Sequence, residues 1–201
     1  MKKRISSIFC LLALAIISIQ AKDYNVKDYG AIGDGKTLDH IAINATIDTC
    51  VAHGGGRVVL PAGTYLCGSI RMKSNVELHL MTGSKILAAP ASMKAYDEAE
   101  EFEGTAYQDG GHTYFKNSLI YAIGANDVSI TGRGMIDGEG LTRRDTENGG
   151  NLHGGNIGTG DKTIAFKQCR NILIRDVTIY RGGHFGIIVT GCELGTIDNV
   201  I

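Results

Sequence analysis

Apolar positions divide this chain into one helical stretch and a long series of short strands. In "TLDHIAINATIDTCVAHGGG", Ile43, Ile47, Cys50 and Val51 fall at i, i+4, i+7 and i+8, a single stripe at helical spacing. Asp39 stands where an N-cap belongs and Gly54 where a C′ stop belongs. Beyond that glycine come "GRVVLPAGTYLC", "NVELHLMTGSKILAA", "NSLIYAIGANDVSITGRGMIDG", "KTIAFKQCRNILIRDVTIYRG" and "FGIIVTGCELGTIDNV". Each run has alternating or doubled apolar residues rich in Val and Ile, punctuated by Gly or Asn, as short strands do. No two-residue hairpin dipeptide joins them and no second helical stripe separates them. That argues against both a hairpin sandwich and a βαβ sheet.

The strands repeat. Cys192, Ile197 and Val200 reproduce Cys169, Ile174 and Val177 with a shift of 23 residues. Val128 and Ile130 match Ile172 and Ile174 at 44, and Val76 and Leu78 match Val128 and Ile130 at 52. Glycine-rich or acidic excursions fill the longer intervals. Coils of near-constant length with excursions on some turns predict an all-β fold, a right-handed parallel β-helix. The helix near residues 39–53 is its expected N-terminal capping α-helix. The last repeat runs to Ile201 without a capping element, so the C-terminal rungs are expected to be missing from this sequence. Such an isolated chain is expected to be inactive and to associate through open strand edges.

The first 21 residues read as a signal peptide, with Lys2, Lys3 and Arg4 before an apolar run from Ile8 to Ile17 and a small residue at Ala21. The run falls short of the roughly 20 residues that span a bilayer. The expected product is one incomplete β-helix domain over residues 22–201, secreted or periplasmic, with no membrane association after cleavage. The net charge of −1 gives no field for nucleic acid. Twenty-eight glycines against two prolines fit many tight turns. Cys50, Cys67, Cys169 and Cys192 form an even set, for which disulfides are permitted in an exported chain. Cys169 and Cys192 occupy equivalent positions, either bridged or as stacked thiols, and both alternatives stand at this point. The oligomeric state is not legible.

Two long motifs carry a resemblance. "KDYGAIGDGKTLDHIAINATID" and "GGGRVVLPAGTYLCGSI" resemble the opening of pectin-lyase-like β-helix proteins. "NVELHLMTGSKILAA", "ITGRGMIDGEG" and "IAFKQCRNILIRDVTIYRGGHFGIIVTGCELGTIDNV" resemble glycoside hydrolase family 28, the polygalacturonase and rhamnogalacturonase family. The resemblance implies inverting hydrolysis of pectic polysaccharide without a cofactor, using carboxylates about 6.5–9.5 Å apart. The family's acid motifs, Asn-x-Asp, Asp-Asp and Gly-His-Gly, do not occur in this sequence. An Arg-x-Lys occurs only as Arg71-Met72-Lys73, too early in the chain, and is read as a solvated strand end. No catalytic residue is therefore assigned, and Asp137, Asp161, Asp176 and Asp198 are read as turn and surface carboxylates.

Four residues are expected at a sugar. Arg181 offers a bidentate partner for a uronate carboxylate and His184 a hydrogen bond from the same turn. Lys162 and Lys167 are expected on the same side, and His153 in a lid-like loop. His40, His53, His79 and His112 are read as residues without chemistry. No His/Cys/Asp cluster has metal-ligand spacing, so no metal site is expected. Two other readings remain: a polysaccharide lyase on the same fold, and a non-catalytic carbohydrate-binding β-helix.

Overall fold

The computed structural model describes residues 22–101, 112–142 and 157–201; the leader-like segment and His153 lie outside them. In chain order the first elements are β1 (Asp23–Asn25), β2 (Asp34–Leu38), helix α1 (His40–Ala52), β3 (Gly56–Leu60), β4 (Gly63–Cys67) and β5 (Ile70–Arg71). Then come β6 (Val76–Leu80), β7 (Ser84–Ala88), β8 (Ser118–Ile123), β9 (Asn126–Gly132) and β10 (Met135–Asp137). The last are β11 (Lys162–Lys167), β12 (Arg170–Arg175), β13 (Thr178–Tyr180), β14 (Phe185–Thr190) and β15 (Glu193–Asp198).

Among the described residues the strand pairings are parallel, and the strands fall into three sheets: β1-β3-β6-β9-β12-β15, β13-β10-β7-β4-β2 and β14-β11-β8-β5. The chain visits the sheets in rotation, winding a right-handed parallel β-helix. Register stacks like residues inward. Val58, Leu78, Ile130, Ile174 and Ile197 form one column, Tyr65, Ile86, Ile136 and Ile179 a second, and Ile70, Ile120, Ile164 and Ile187 a third. These columns contain the repeat spacings of 23, 44 and 52 seen in sequence. The alternation is cleanest in β6, where Val76, Leu78 and Leu80 are buried and Glu77 and His79 face out.

The rungs approach closely enough to explain the Gly-x-Gly-x-Ile-Asp-Gly motif. A Cβ at Gly132 would stand 2.1 Å from the Leu80 carbonyl oxygen, and one at Gly134 2.4 Å from Ser84 Oγ. Ile136, two residues after Gly134, is fully buried. The motif therefore serves rung stacking first.

Helix α1 closes the end of the barrel with Ile43, Thr46, Ile47 and Cys50. Val51, expected in that stripe, is 37% exposed, and Thr46 takes the place, its hydroxyl bonded to the Ala42 carbonyl at 2.8 Å. Asp39 holds the N-cap position but makes no side-chain cap bond. Its buried carboxylate instead accepts the amides of Ile32 and Gly33 at 2.7 and 3.0 Å, tying the glycine loop to the helix start. The four cysteines are free thiols; the Cys169 amide donates to Cys192 Sγ at 3.4 Å, so these two are stacked. No helix among the described residues is long and apolar enough to cross a membrane.

His40, at the first position of α1, has a buried Nδ1 with no hydrogen-bond partner. Burial pushes its pKa below the ordinary value. The unfolded chain therefore binds a proton near pH 6.5 that the folded protein takes up only at lower pH. Stability is full above about pH 6.5 and falls as pH drops toward the folded pKa. His40→Gln should flatten the decline in thermal midpoint between about pH 7 and 5.5, above the main carboxylate range. An unchanged slope would place the titration elsewhere.

Candidate functional site

The long excursions among the described residues leave from one corner, where the second sheet hands the chain to the third. Segments 89–117, 138–161 and 181–184 connect β7 to β8, β10 to β11 and β13 to β14. The described ends of these segments therefore meet at the start of the β8-β11-β14 sheet.

Asp137 anchors the corner. Read from sequence as a turn carboxylate, it is the last residue of β10, paired in register between Leu87 and Tyr180, and only 2% exposed. Burying a carboxylate is costly unless it is paired. Arg181 supplies the partner, its Nε and Nη2 donating to the two oxygens at 2.8 and 2.6 Å. Its Nη1 lies 2.9 Å from Glu139, and Lys85 Nζ stands 3.9 Å from Asp137. These bonds, Asp137's first, raise the Arg181 pKa further above its already high value. The guanidinium also lies over the Tyr180 ring, 4.7 Å from its centre, and that ring belongs to a residue 54% exposed. Arg181 is thus a pre-fixed donor fork committed to protein acids, with part of its surface open.

His184 and Lys162 meet at Asp161. The His184 amide donates to the Asp161 carbonyl at 2.7 Å, and the Asp161 carboxylate holds the Lys162 ammonium. Gly183 is required there, with φ +72 and only 2.5 Å between an added Cβ and that carbonyl. The His184 ring packs edge-on to Phe185 at 4.4 Å, and His112 does the same from the other excursion at 4.8 Å. Lys162 itself has no exposed side-chain surface, so it supports the corner from inside. Lys167 sits at the opposite end of β11, five residues or about 16 Å away. It pairs with Glu100 at 3.7 Å and lies over Phe115 at 5.4 Å. Glu100 also accepts the amides of Phe115 and Lys116, so Lys167 pins the returning arm of segment 89–117.

A second charged group on this sheet is the Arg71-Met72-Lys73 triplet, read from sequence as a solvated strand end and here paired on both sides. Arg71, the end of β5, donates Nε and Nη2 to Asp97 at 2.7 and 2.6 Å, and the Tyr121 hydroxyl joins Asp97 at 2.7 Å. Burial pushes the Asp97 carboxyl up, but the Arg71 and Tyr121 bonds together outweigh it and the net shift is downward. Lys73 pairs with Asp48 of α1 at 2.6 Å. The Arg71-Met72-Lys73 triplet therefore fastens the cap and the first excursion. The acid partner of Arg71 lies 26 residues on, in a loop with no periodicity, so sequence offered no signal for the pair.

Chemically, the corner offers an aromatic face, a half-open guanidinium and an imidazole at fixed separation from a rigid sheet, suited to hydrogen bonding and stacking. Asp137 and Glu139, its carboxylates beside Arg181, are both engaged by that cation. Among the described residues no group of three His, Cys, Asp or Glu side chains is arranged to hold a metal ion.

Comparison with known proteins gives three kinds of match. A family model described as rhamnogalacturonase A/epimerase, pectate lyase-like, matches residues 24–201. The exo-poly-alpha-D-galacturonosidase of Dickeya chrysanthemi is 33% identical over 129 residues, 61% of this chain and 20% of that protein. A mannuronan C5-epimerase of Azotobacter vinelandii is 50% identical over 64 residues, 28% of this chain and 6% of the epimerase. Among solved structures, a hyperthermoactive exopolygalacturonase from Thermotoga maritima superposes with a TM-score of 0.71 at 26% identity, covering 89% of this chain and 46% of that one. The matched region is thus one fifth of the length of the first curated relative.

Proposed function

We propose, from the premise that this chain belongs to the rhamnogalacturonase A/epimerase, pectate lyase-like family, that it is part of an exported glycoside hydrolase. The whole protein would hydrolyse galacturonosyl linkages of pectic polysaccharide with inversion. The observation that supports this reading is the turn at the head of the β8-β11-β14 sheet, where Arg181 lies over the exposed Tyr180 ring and His184 follows three residues on with its ring against Phe185. A uronate ring suits it: the pyranose C–H face lies on the exposed Tyr180 ring, and the carboxylate meets the open side of the Arg181 guanidinium. Asp137 and Glu139 hold that guanidinium in one orientation before sugar arrives, which lowers the ordering cost of binding.

Inverting hydrolysis needs a protonated carboxyl for the leaving oxygen and a carboxylate for water. The family's motifs for these groups are absent from the 201 residues, so the part proposed for this chain is to orient the substrate beside them. Relatives named as an exo-galacturonosidase and an exopolygalacturonase support the hydrolase reading. The epimerase relative, more identical over a shorter stretch, favours a second reading, uronate epimerisation on the same scaffold.

The test is to incubate the gene's complete product with polygalacturonate and follow the sugar by NMR. New saturated reducing ends of inverted anomeric configuration are expected. A 4,5-unsaturated product absorbing in the ultraviolet would replace the hydrolase with a lyase. Altered C5 configuration without chain cleavage would select the epimerase, and binding without any reaction would leave a carbohydrate-binding module.

A further inference from the structure

The outer face of the β1-β3-β6-β9-β12-β15 sheet carries a groove that the corner site does not use. It is open, offers about 540 Å³, and is lined by Glu77 and His79 of β6, Met81 in the turn that follows, Thr131 of β9, Arg133 after it, and Leu173, Arg175 and Asp176 of β12 and its turn. That volume lies within the range of about 300–1,000 Å³ that small-ligand sites occupy.

Its polar groups are oriented before any ligand arrives. Thr131 donates its hydroxyl proton to Glu77, because a carboxylate can only accept. The same Thr131 oxygen lies 2.8 Å from His79 Nδ1 and must there be the acceptor. The proton of a neutral His79 is thereby placed on Nδ1, leaving Nε2 as an acceptor. Glu77 keeps further lone pairs. A hydroxyl-bearing ligand would find two acceptors side by side on one strand, held by a threonine on the next.

The charges are unevenly satisfied. Glu77 is engaged by Thr131 and lies 3.4 Å from His79, and Asp176 accepts Asn199 Nδ2 at 2.7 Å. Arg175 shares Asp198 on the neighbouring rung at 3.1 Å. Arg133 is exposed and has no ion-pair partner among the described residues. Glu77 and Asp176 are hydrogen-bonded by the neutral Thr131 and Asn199 and keep their charge, and Arg133 is the lining guanidinium with no acid partner among the described residues. Met81, 46% exposed, and the half-buried Leu173 add apolar surface in the same groove. Hydroxyl acceptors, an unclaimed guanidinium and a small apolar patch match one chemical class: a pyranose ring bearing a carboxylate.

We infer that this groove is a second binding site for acidic polysaccharide, on a different face from the Tyr180–Arg181–His184 corner, taking a uronate residue with Arg133 on its carboxylate and His79 and Glu77 on its hydroxyls. It borrows the substrate class of the proposed function but not its chemistry. A polymer held on the outer face of one sheet stays near the protein while another stretch of it reaches the corner, raising the local concentration of sugar.

The test is an NMR titration of the purified protein with trigalacturonate, following the Met81 methyl and the His79 ring, with maltotriose as a neutral control. Saturable shifts at both groups are expected with trigalacturonate only. Arg133→Ala should weaken that binding about tenfold, the scale of 1.4 kcal/mol, and Arg133→Lys should restore part of it. Arg133 lies exposed in a turn, so loss of fold does not confuse the result. Equal shifts with maltotriose would overturn the assignment to acidic sugars. Undiminished affinity in Arg133→Ala, or shifts confined to residues near Arg181, would overturn the site. Failure of the hydrolase assay with these shifts intact would sink the proposed reaction and leave the groove standing.

Discussion

Gly138→Ala is expected to destabilise the protein by about 3 kcal/mol or more, enough to remove a cooperative melt from a marginal fold. Gly138 has an ordinary backbone conformation, so the penalty does not come from its φ angle. It comes from an added Cβ 1.9 Å from the Arg181 carbonyl oxygen, with Leu141 Cδ1 at 2.9 Å. The carbonyl cannot retreat cheaply. Gly138 N–H donates to Tyr180 O at 2.8 Å, β10 and β13 are paired in register, and Arg181 is bound to buried Asp137. Pushing the two rungs apart breaks all three. Gly124→Ala is the contrasting control, since φ is +64 there and nothing lies within 4 Å of the new Cβ. It should cost only about 1–2 kcal/mol from left-handed strain. Urea melts by circular dichroism separate the two, and near-equal midpoints would mean that the rungs yield at Gly138.

Asp161→Ala should cost about 3–5 kcal/mol, because it leaves the Lys162 ammonium without its carboxylate at 0% exposure. The double change Asp161→Asn with Lys162→Met removes both charges, and is expected within about 1 kcal/mol of the parent. The His184 amide bond goes to the Asp161 main-chain carbonyl and is untouched by either change, so the contrast reports on the ion pair alone. Because Lys162 has no exposed surface, the double variant should bind pectic oligomers as the parent does if the turn is kept. A loss of affinity equal to that of His184→Ala, with unchanged stability, would instead put Lys162 at the sugar.

The corner shows why some readings from sequence reach the structure and others stop short. Arg181 and His184 were legible as neighbours in "YRGGHFG", since a turn of four residues keeps its members together. Lys162 and Lys167 flank a six-residue strand and were expected on one side. The pleat and the strand length put them at opposite ends with different partners. Asp137 looked like a turn acid because Gly138 follows it. Only the stacking of β13 on β10 makes it buried, and the acid that fixes Arg181 lies 44 residues away. His79 was read as inert, and nothing local distinguishes it; its role in the groove depends on Thr131, 52 residues on, across a strand pairing.

Sequence alone determined the winding of this protein. Stacking in register makes each inward column of Val, Ile and Leu repeat at the coil length, so the periods of 23, 44 and 52 were already a statement of which residues touch. It also determined the close rung contacts, because only glycine tolerates them. Tertiary structure alone decided which charges meet. Polar side chains carry no period, their partners sit on neighbouring coils after excursions of unequal length, and the choice among many possible acids is made by burial. Asp39 is the plainest case: its place at the start of α1 was written in the pattern, while its bonds to Ile32 and Gly33 came from the loop folding back over it.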